Sequence, residues 1–113
     1  MKSSVSEHGS VTAVHLEGNL MGGPDATALN SKLHELVDAG RTQVIVDLKG
    51  VEFINSSGLG LLIGGASLLK NAGGGLKLAC ASEKITALIK ITRLGPVFES
   101  FASVDDAVKS FTK

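Results

Sequence analysis

A single cysteine, Cys80, stands among the 113 residues, so no disulfide can form within the chain. Its setting, Leu76-Lys77-Leu78-Ala79-Cys80, alternates with leucines and predicts a small core filler on a strand, not a redox centre. Histidine is scarce as well. His8, His15 and His34 have neither Cys neighbours nor helical i, i+4 pairing, so no metal site is expected. An excess of charge of one sign is also missing: Lys plus Arg and Asp plus Glu both total 11. Without a basic field, no direct nucleic-acid ligand is expected. No apolar run approaches the roughly 20 residues of a membrane span. The polar start Met1 to Glu7 lacks a signal-peptide core, so the reading is a cytoplasmic protein with no membrane insertion. Gly73-Gly74-Gly75 precedes a strand and lacks a following Lys-Ser or Lys-Thr, which excludes a P-loop and leaves a helix stop. No Ser, His and Asp set with a nucleophile elbow is visible. No catalytic residue and no cofactor is therefore assigned, and the chain is not read as an enzyme.

What is present is a foldable chain. Apolar residues make up 43% and charged residues 19%, too hydrophobic a balance for disorder. The length suits one domain over residues 1–113. Two β-like stretches, around Val5 to Glu7 and Val11 to Glu17, flank a turn-like Glu-His-Gly-Ser and predict an N-terminal hairpin. After Gly22-Gly23-Pro24-Asp25, the stripe Leu29, Leu33, Leu36 and Val37 predicts a helix that Gly40 ends. Val44 to Leu48, apolar and mostly β-branched, suits a strand covered on both faces. Asn55-Ser56-Ser57 offers three caps for a helix of about 15 residues ending at Gly73 to Gly75. Leu76 to Ala81 is a further strand. Ser82 can cap a third helix carrying Ile85, Leu88 and Ile89, which Gly95-Pro96 stops, and Val97-Phe98 is a short strand. Ser103-Val104-Asp105-Asp106 opens a last helix with Val104, Ala107, Val108 and Phe111 on one face. Alternating strands and helices need crossovers between parallel strands. The fold class is therefore α/β: a mostly parallel mixed sheet with an N-terminal hairpin and about four helices.

Sites in such folds gather where strands pass into helices, which selects Asp47 to Gly58. The segment Val44 to Gly65 reads VIVDLKGVEFINSSGLGLLIGG and resembles the strand, loop and helix signature of STAS domains. Gly18 to Leu20, as Gly-x-Leu, and the order of elements extend the resemblance along the chain. It implies an anti-sigma factor antagonist in a partner-switching pathway that controls sigma-factor-dependent transcription. Its partner would be an anti-sigma factor with serine kinase activity, and a serine phosphatase would reset the switch. The family loop usually reads Asp-Ser-Ser-Gly and is phosphorylated on the second Ser, which matches Ser57; Ser56 is the second choice. Asn55, Ser56, Gly58 and Met21 would form the phosphosite loop. Asn55 and Met21 stand where the family often has acidic residues, so an Asn55→Asp change should raise the phosphorylation rate. STAS domains also occur on anion transporters and lipid-transport complexes, which leaves a transporter auxiliary subunit as the alternative.

The residues carry an argument of their own. A helix N-terminus, with free N–H groups and partial positive charge, can hold a phosphate without harm to the fold. A partner surface fitted to a hydroxyl would instead meet roughly −1.5 to −2 charges. The simpler reading, that Asn55, Ser56 and Ser57 only cap the helix, stays open. In the helix, Leu59, Leu62, Ile63, Ala66 and Leu69 form one apolar face, while Leu61, Gly64, Gly65, Leu68 and Ala72 form a second. The second stripe is either internal packing or a partner interface at Leu61, Gly64 and Leu68, with Gly60, Gly64 and Gly65 admitting a close approach. Asp47, taken to end its strand, should accept backbone N–H groups from the adjoining loop.

Overall fold

The structure, a computed structural model, describes residues 2–21, 23–91 and 98–111. The hairpin forms as the pattern predicts: β1 (Lys2–His8) pairs antiparallel with β2 (Val11–Glu17). Gly9 turns the chain between them at φ +68°, a left-handed conformation that glycine adopts at little cost. Helix α1 (Pro24–Asp38) returns the chain, and β3 (Gln43–Gly50) then lies parallel to β2. The remaining elements are α2 (Ser56–Asn71), β4 (Gly75–Ala79), α3 (Glu83–Ile91), β5 (Ser100–Phe101) and α4 (Val104–Phe111). Among the described residues the sheet has five strands in the order β1-β2-β3-β4-β5, and only β1 is antiparallel.

The caps are those the sequence offered. The amide N–H of Ile85 donates to the Ser82 hydroxyl at 3.3 Å, and that of Asp106 to the Ser103 hydroxyl at 3.1 Å. Each satisfies a donor at a helix start that has no partner within its own helix. The α2–β4 turn needs glycine for two reasons. Gly73 has φ +91°, and a Cβ on Gly74 would collide with the Thr42 carbonyl.

Strand alternation divides the core in two. Val44, Val46 and Leu48 of β3 turn to one face, where they meet Leu29 and Leu33 of α1, Leu62 and Leu69 of α2, and Ile85 and Ile89 of α3. Ile45 turns to the other, against Ala107 and the flanking Val104, Val108 and Phe111 of α4. Three helices therefore cover one face and a single short helix the other.

Three expectations are corrected. The last strand is Ser100–Phe101, beyond the Val97-Phe98 pair; Phe98 is buried in coil, and Val97 lies outside the described residues, as does the Gly95-Pro96 stop. Cys80 packs against the smaller core cluster, as a core filler would, but it is not on the strand. Strand β4 ends at Ala79, and Cys80 follows at φ +59°, half-buried, its N–H donating to the Phe101 carbonyl. Asp47 does not end its strand either, because β3 runs on to Gly50.

Candidate functional site

Asn55 opens the site by capping α2. Its Oδ1 accepts from the Gly58 N–H at 2.8 Å, and its Nδ2 donates to the Met21 carbonyl at 2.8 Å. Only one amide orientation serves both neighbours, since one offers a donor and the other an acceptor. The β2–α1 loop is thereby fastened to the start of α2. Backbone bonds reinforce it: Leu20 N–H to the Phe53 carbonyl at 3.0 Å and Asn55 N–H to the Leu20 carbonyl at 3.3 Å, with an isolated parallel bridge between Leu20 and Ile54. Gly58 is buried where the two loops meet, and a Cβ there would strike the Leu20 carbonyl oxygen. Ser56 and Ser57 occupy the first two helical positions, and both are exposed.

Asn55 thus joins Met21 to Gly58, and Ser56 and Ser57 lie between Asn55 and Gly58 at the helix start. The helix stripe is divided. Gly65 is buried, and a Cβ there would lie 2.6 Å from Leu33 Cδ1, so that glycine admits α1. Leu61 and Leu68 are half-buried against the main core, while Gly64 and Gly60 are exposed with nothing within 4 Å of an added Cβ. Part of the second stripe is therefore internal packing, and the outer part is open.

One neighbouring feature escaped the sequence reading. Beside Asn55 and Ser56 lies an apolar hollow of about 550 Å³, walled by Phe53 and Ile54 on one side and by Ile85, Leu88 and Ile91 on the other. Phe53 is 49% exposed, Ile91 79% and Met21 44%. The available signal was Phe53, a large aromatic in the short link between the apolar run Val44 to Leu48 and the cap at Asn55.

A model of the STAS domain matches residues 2–107. The chain belongs to the STAS domain family. Among curated relatives of this STAS chain is the anti-sigma-B factor antagonist of Bacillus subtilis (strain 168), 33% identical over 84 residues, which are 74% of this chain and 76% of the relative. Two solved structures share the STAS fold. An anti-sigma factor antagonist from Mycobacterium paratuberculosis superposes with a TM-score of 0.84 at 24% identity, covering 99% of this chain and 94% of the other. The Bacillus cell fate determinant SpoIIAA in its phosphorylated form gives 0.75 at 21%, covering 96% and 98%.

On the opposite face of the sheet the STAS chain holds a second polar group that sequence reading scattered. Asp47 Oδ2 lies 2.6 Å from His15 Nδ1, and Asp47 Oδ1 accepts the Lys49 N–H at 3.0 Å. The backbone part of this was expected; the histidine was not. Burial acts to raise the Asp47 pKa, but the hydrogen bond and charge of His15, the Lys49 N–H and the Cys80 thiol outweigh it and hold the carboxyl below its usual value. Burial, with the Asp47 charge and hydrogen bond, pushes the Cys80 thiol up, the reverse of what a reactive thiolate requires. His15 Nε2 and His8 Nε2 lie 2.7 and 2.9 Å from Ser6 Oγ. A Ser, His and Asp set does exist here, drawn from three strands and without an elbow. His34 lies apart, exposed on α1.

Among the described residues no helix is long and apolar enough to cross a membrane.

Proposed function

We propose that this chain is an anti-sigma factor antagonist that binds an anti-sigma factor with serine kinase activity, and that phosphorylation of Ser57 dissolves the complex. The observation that carries the reading is the placement of Ser57. It is exposed in the first turn of a helix whose start is pinned from both sides through Asn55. The free N–H groups and positive end of α2 favour a phosphate there, so the fold survives modification. The partner surface does not. Roughly −1.5 to −2 charges and three hydrated oxygens would enter an interface fitted to a hydroxyl. The exposed Phe53 and Ile91 of the hollow that Asn55 and Ser56 also line, with exposed Met21 bonded to Asn55, supply apolar contact area of the sort that marks protein interfaces. Similarity to a curated antagonist over 74% of the chain favours this partner class over a transporter complex. In this scheme the kinase binds the nucleotide, and a serine phosphatase returns the chain to its binding form.

Incubation with the cognate kinase and ATP should place one phosphate on Ser57, and Ser57→Ala should remain unmodified and complexed. Peptide mapping that puts the phosphate on Ser56 or elsewhere refutes the assignment. Failure of the unmodified chain to bind any anti-sigma kinase refutes the pathway.

A further inference from the structure

Strand register puts Ser6, His8, His15 and Asp47 on one face. Ser4 pairs with His15, Ser6 with Ala13 and His8 with Val11 across the antiparallel ladder, and His15 pairs with Asp47 across the parallel one. Even positions of β1 therefore share a face with odd positions of β2 and β3. The β2–β3 register shifts directly after His15, between His15 and Glu17, a bulge of the type that re-aims side chains beside functional sites.

The proton positions follow from the acceptors. Asp47 is held ionised and its carboxylate can only accept. His15 Nδ1 can donate to that carboxylate across the 2.6 Å contact, an arrangement that leaves Nε2 able to accept a proton. The Ser6 hydroxyl lies 2.7 Å from Nε2 and can donate to it. Ser6 Oγ also lies 2.9 Å from His8 Nε2. Carboxylate, imidazole and hydroxyl stand in the order that activates a serine in acyl transfer, a constellation defined by geometry and not by sequence position.

We propose that Ser6 is a base-activated nucleophile, with His15 as its general base and Asp47 as a positioning residue, that accepts an acyl or phosphonyl group from an activated electrophile. Exposure is graded as this needs: the Asp47 side chain is 12% exposed and that of His15 32%, with Ser6 and His8 half-buried at the outer strand. The orienting carboxylate is shielded while the hydroxyl is reachable. In the step, Ser6 Oγ attacks the carbonyl carbon or phosphorus and the new bond forms as the leaving group departs with its electron pair. The hydroxyl proton passes to His15 Nε2. A metal is the poorer occupant, since among the described residues no three His, Cys, Asp or Glu side chains are grouped to hold one. The site lies across the sheet from Ser57, so it is a second modification site, independent of the partner switch.

The test treats the intact chain with a fluorophosphonate. The Oγ–P bond forms, the P–F bond breaks, fluoride leaves and the proton goes to His15. Peptide mass mapping should find one phosphonyl group on Ser6, added at least tenfold faster than on the exposed Ser3, Ser56, Ser57 or Ser67 of the same molecules. His15→Gln should slow labelling about a hundredfold, the ordinary contribution of a general base, and Ser6→Ala should abolish it. For Asp47→Asn, nitrogen NMR of the His15 ring should show loss of the pure Nδ1–H tautomer together with slower labelling. Label spread evenly over exposed serines overturns the proposal, as does unchanged labelling of a folded His15→Gln chain. If His15→Gln fails to fold, the comparison among serines of the unaltered chain decides alone.

Discussion

An aspartate at position 55 can keep one of the two side-chain hydrogen bonds of Asn55 and must lose the other. A carboxylate still accepts the Gly58 N–H and gains about 0.3–1 kcal/mol from the positive end of α2. It cannot donate to Met21, which costs about 1 kcal/mol, and it sets a negative charge against a carbonyl oxygen. Asn55→Asp should therefore melt a few degrees lower even as the added acid group raises the phosphorylation rate. Calorimetry and a kinase assay read the two effects separately, and a rate that does not rise shows that the amide already suits its kinase. The capping role of Asn55 was legible because Asn, Ser and Ser precede an apolar run. Its hold on Met21 was not, since that carbonyl lies 34 residues away and arrives only through the Leu20 and Ile54 bridge. The same reason hid His15, which reaches Ser6 only through the β1–β2 register.

At the scale of elements, β2 and β3 are tied across their parallel ladder by His15 and Asp47. Reading Asp47 as a strand end anticipated a backbone N–H partner but put it in a loop, whereas Lys49 lies within β3, and it missed His15 altogether, because an apolar run says where a strand lies and not where it stops. The tie has a pH signature. The folded pKa of Asp47 is below its ordinary value of 3.8, so its stabilising contribution is present above that value and is lost as pH falls through the folded value. Urea unfolding should thus show stability falling, as pH drops below the ordinary value of 3.8, more steeply in the unaltered chain than in Asp47→Asn. At neutral pH the variant should be weaker by about 2 kcal/mol, the cost of losing hydrogen bonds to a charged group. Equal acid slopes in the two proteins would show that other carboxylates dominate. Strand β5 marks the lower limit of legibility: two residues carry no period, and only the β4 edge beside them defines Ser100–Phe101 as a strand.

At the scale of the whole molecule, alternating strands and helices were enough to place the parallel sheet, its hairpin and the loop at the strand ends. They could not say which helix covers which face, because burial on both sides of β3 follows from either arrangement. That ambiguity concentrated in the glycines of α2, where one pattern served two purposes. Gly65 sits against Leu33 of α1, whereas Gly64 has open space outside it. Ser57, Leu61, Gly64 and Leu68 follow one line along α2, with the serine and the glycine exposed and the two leucines half-buried at its inner margin. A partner helix seated over Gly64 would cover Ser57 as well, which would join the site of modification to the site of affinity. Gly64→Leu should then leave the fold intact, because a Cβ there has nothing within 4 Å and the change replaces a residue costing a helix interior about 1 kcal/mol. Melting temperature should hold or rise. Affinity for the anti-sigma partner should fall at least about tenfold, or roughly 1.4 kcal/mol, because the close approach is blocked. An unfolded variant would mean that the outer line of α2 is internal after all, and a folded variant with unchanged affinity would move the interface off this helix, toward the hollow beside Phe53 and Ile91.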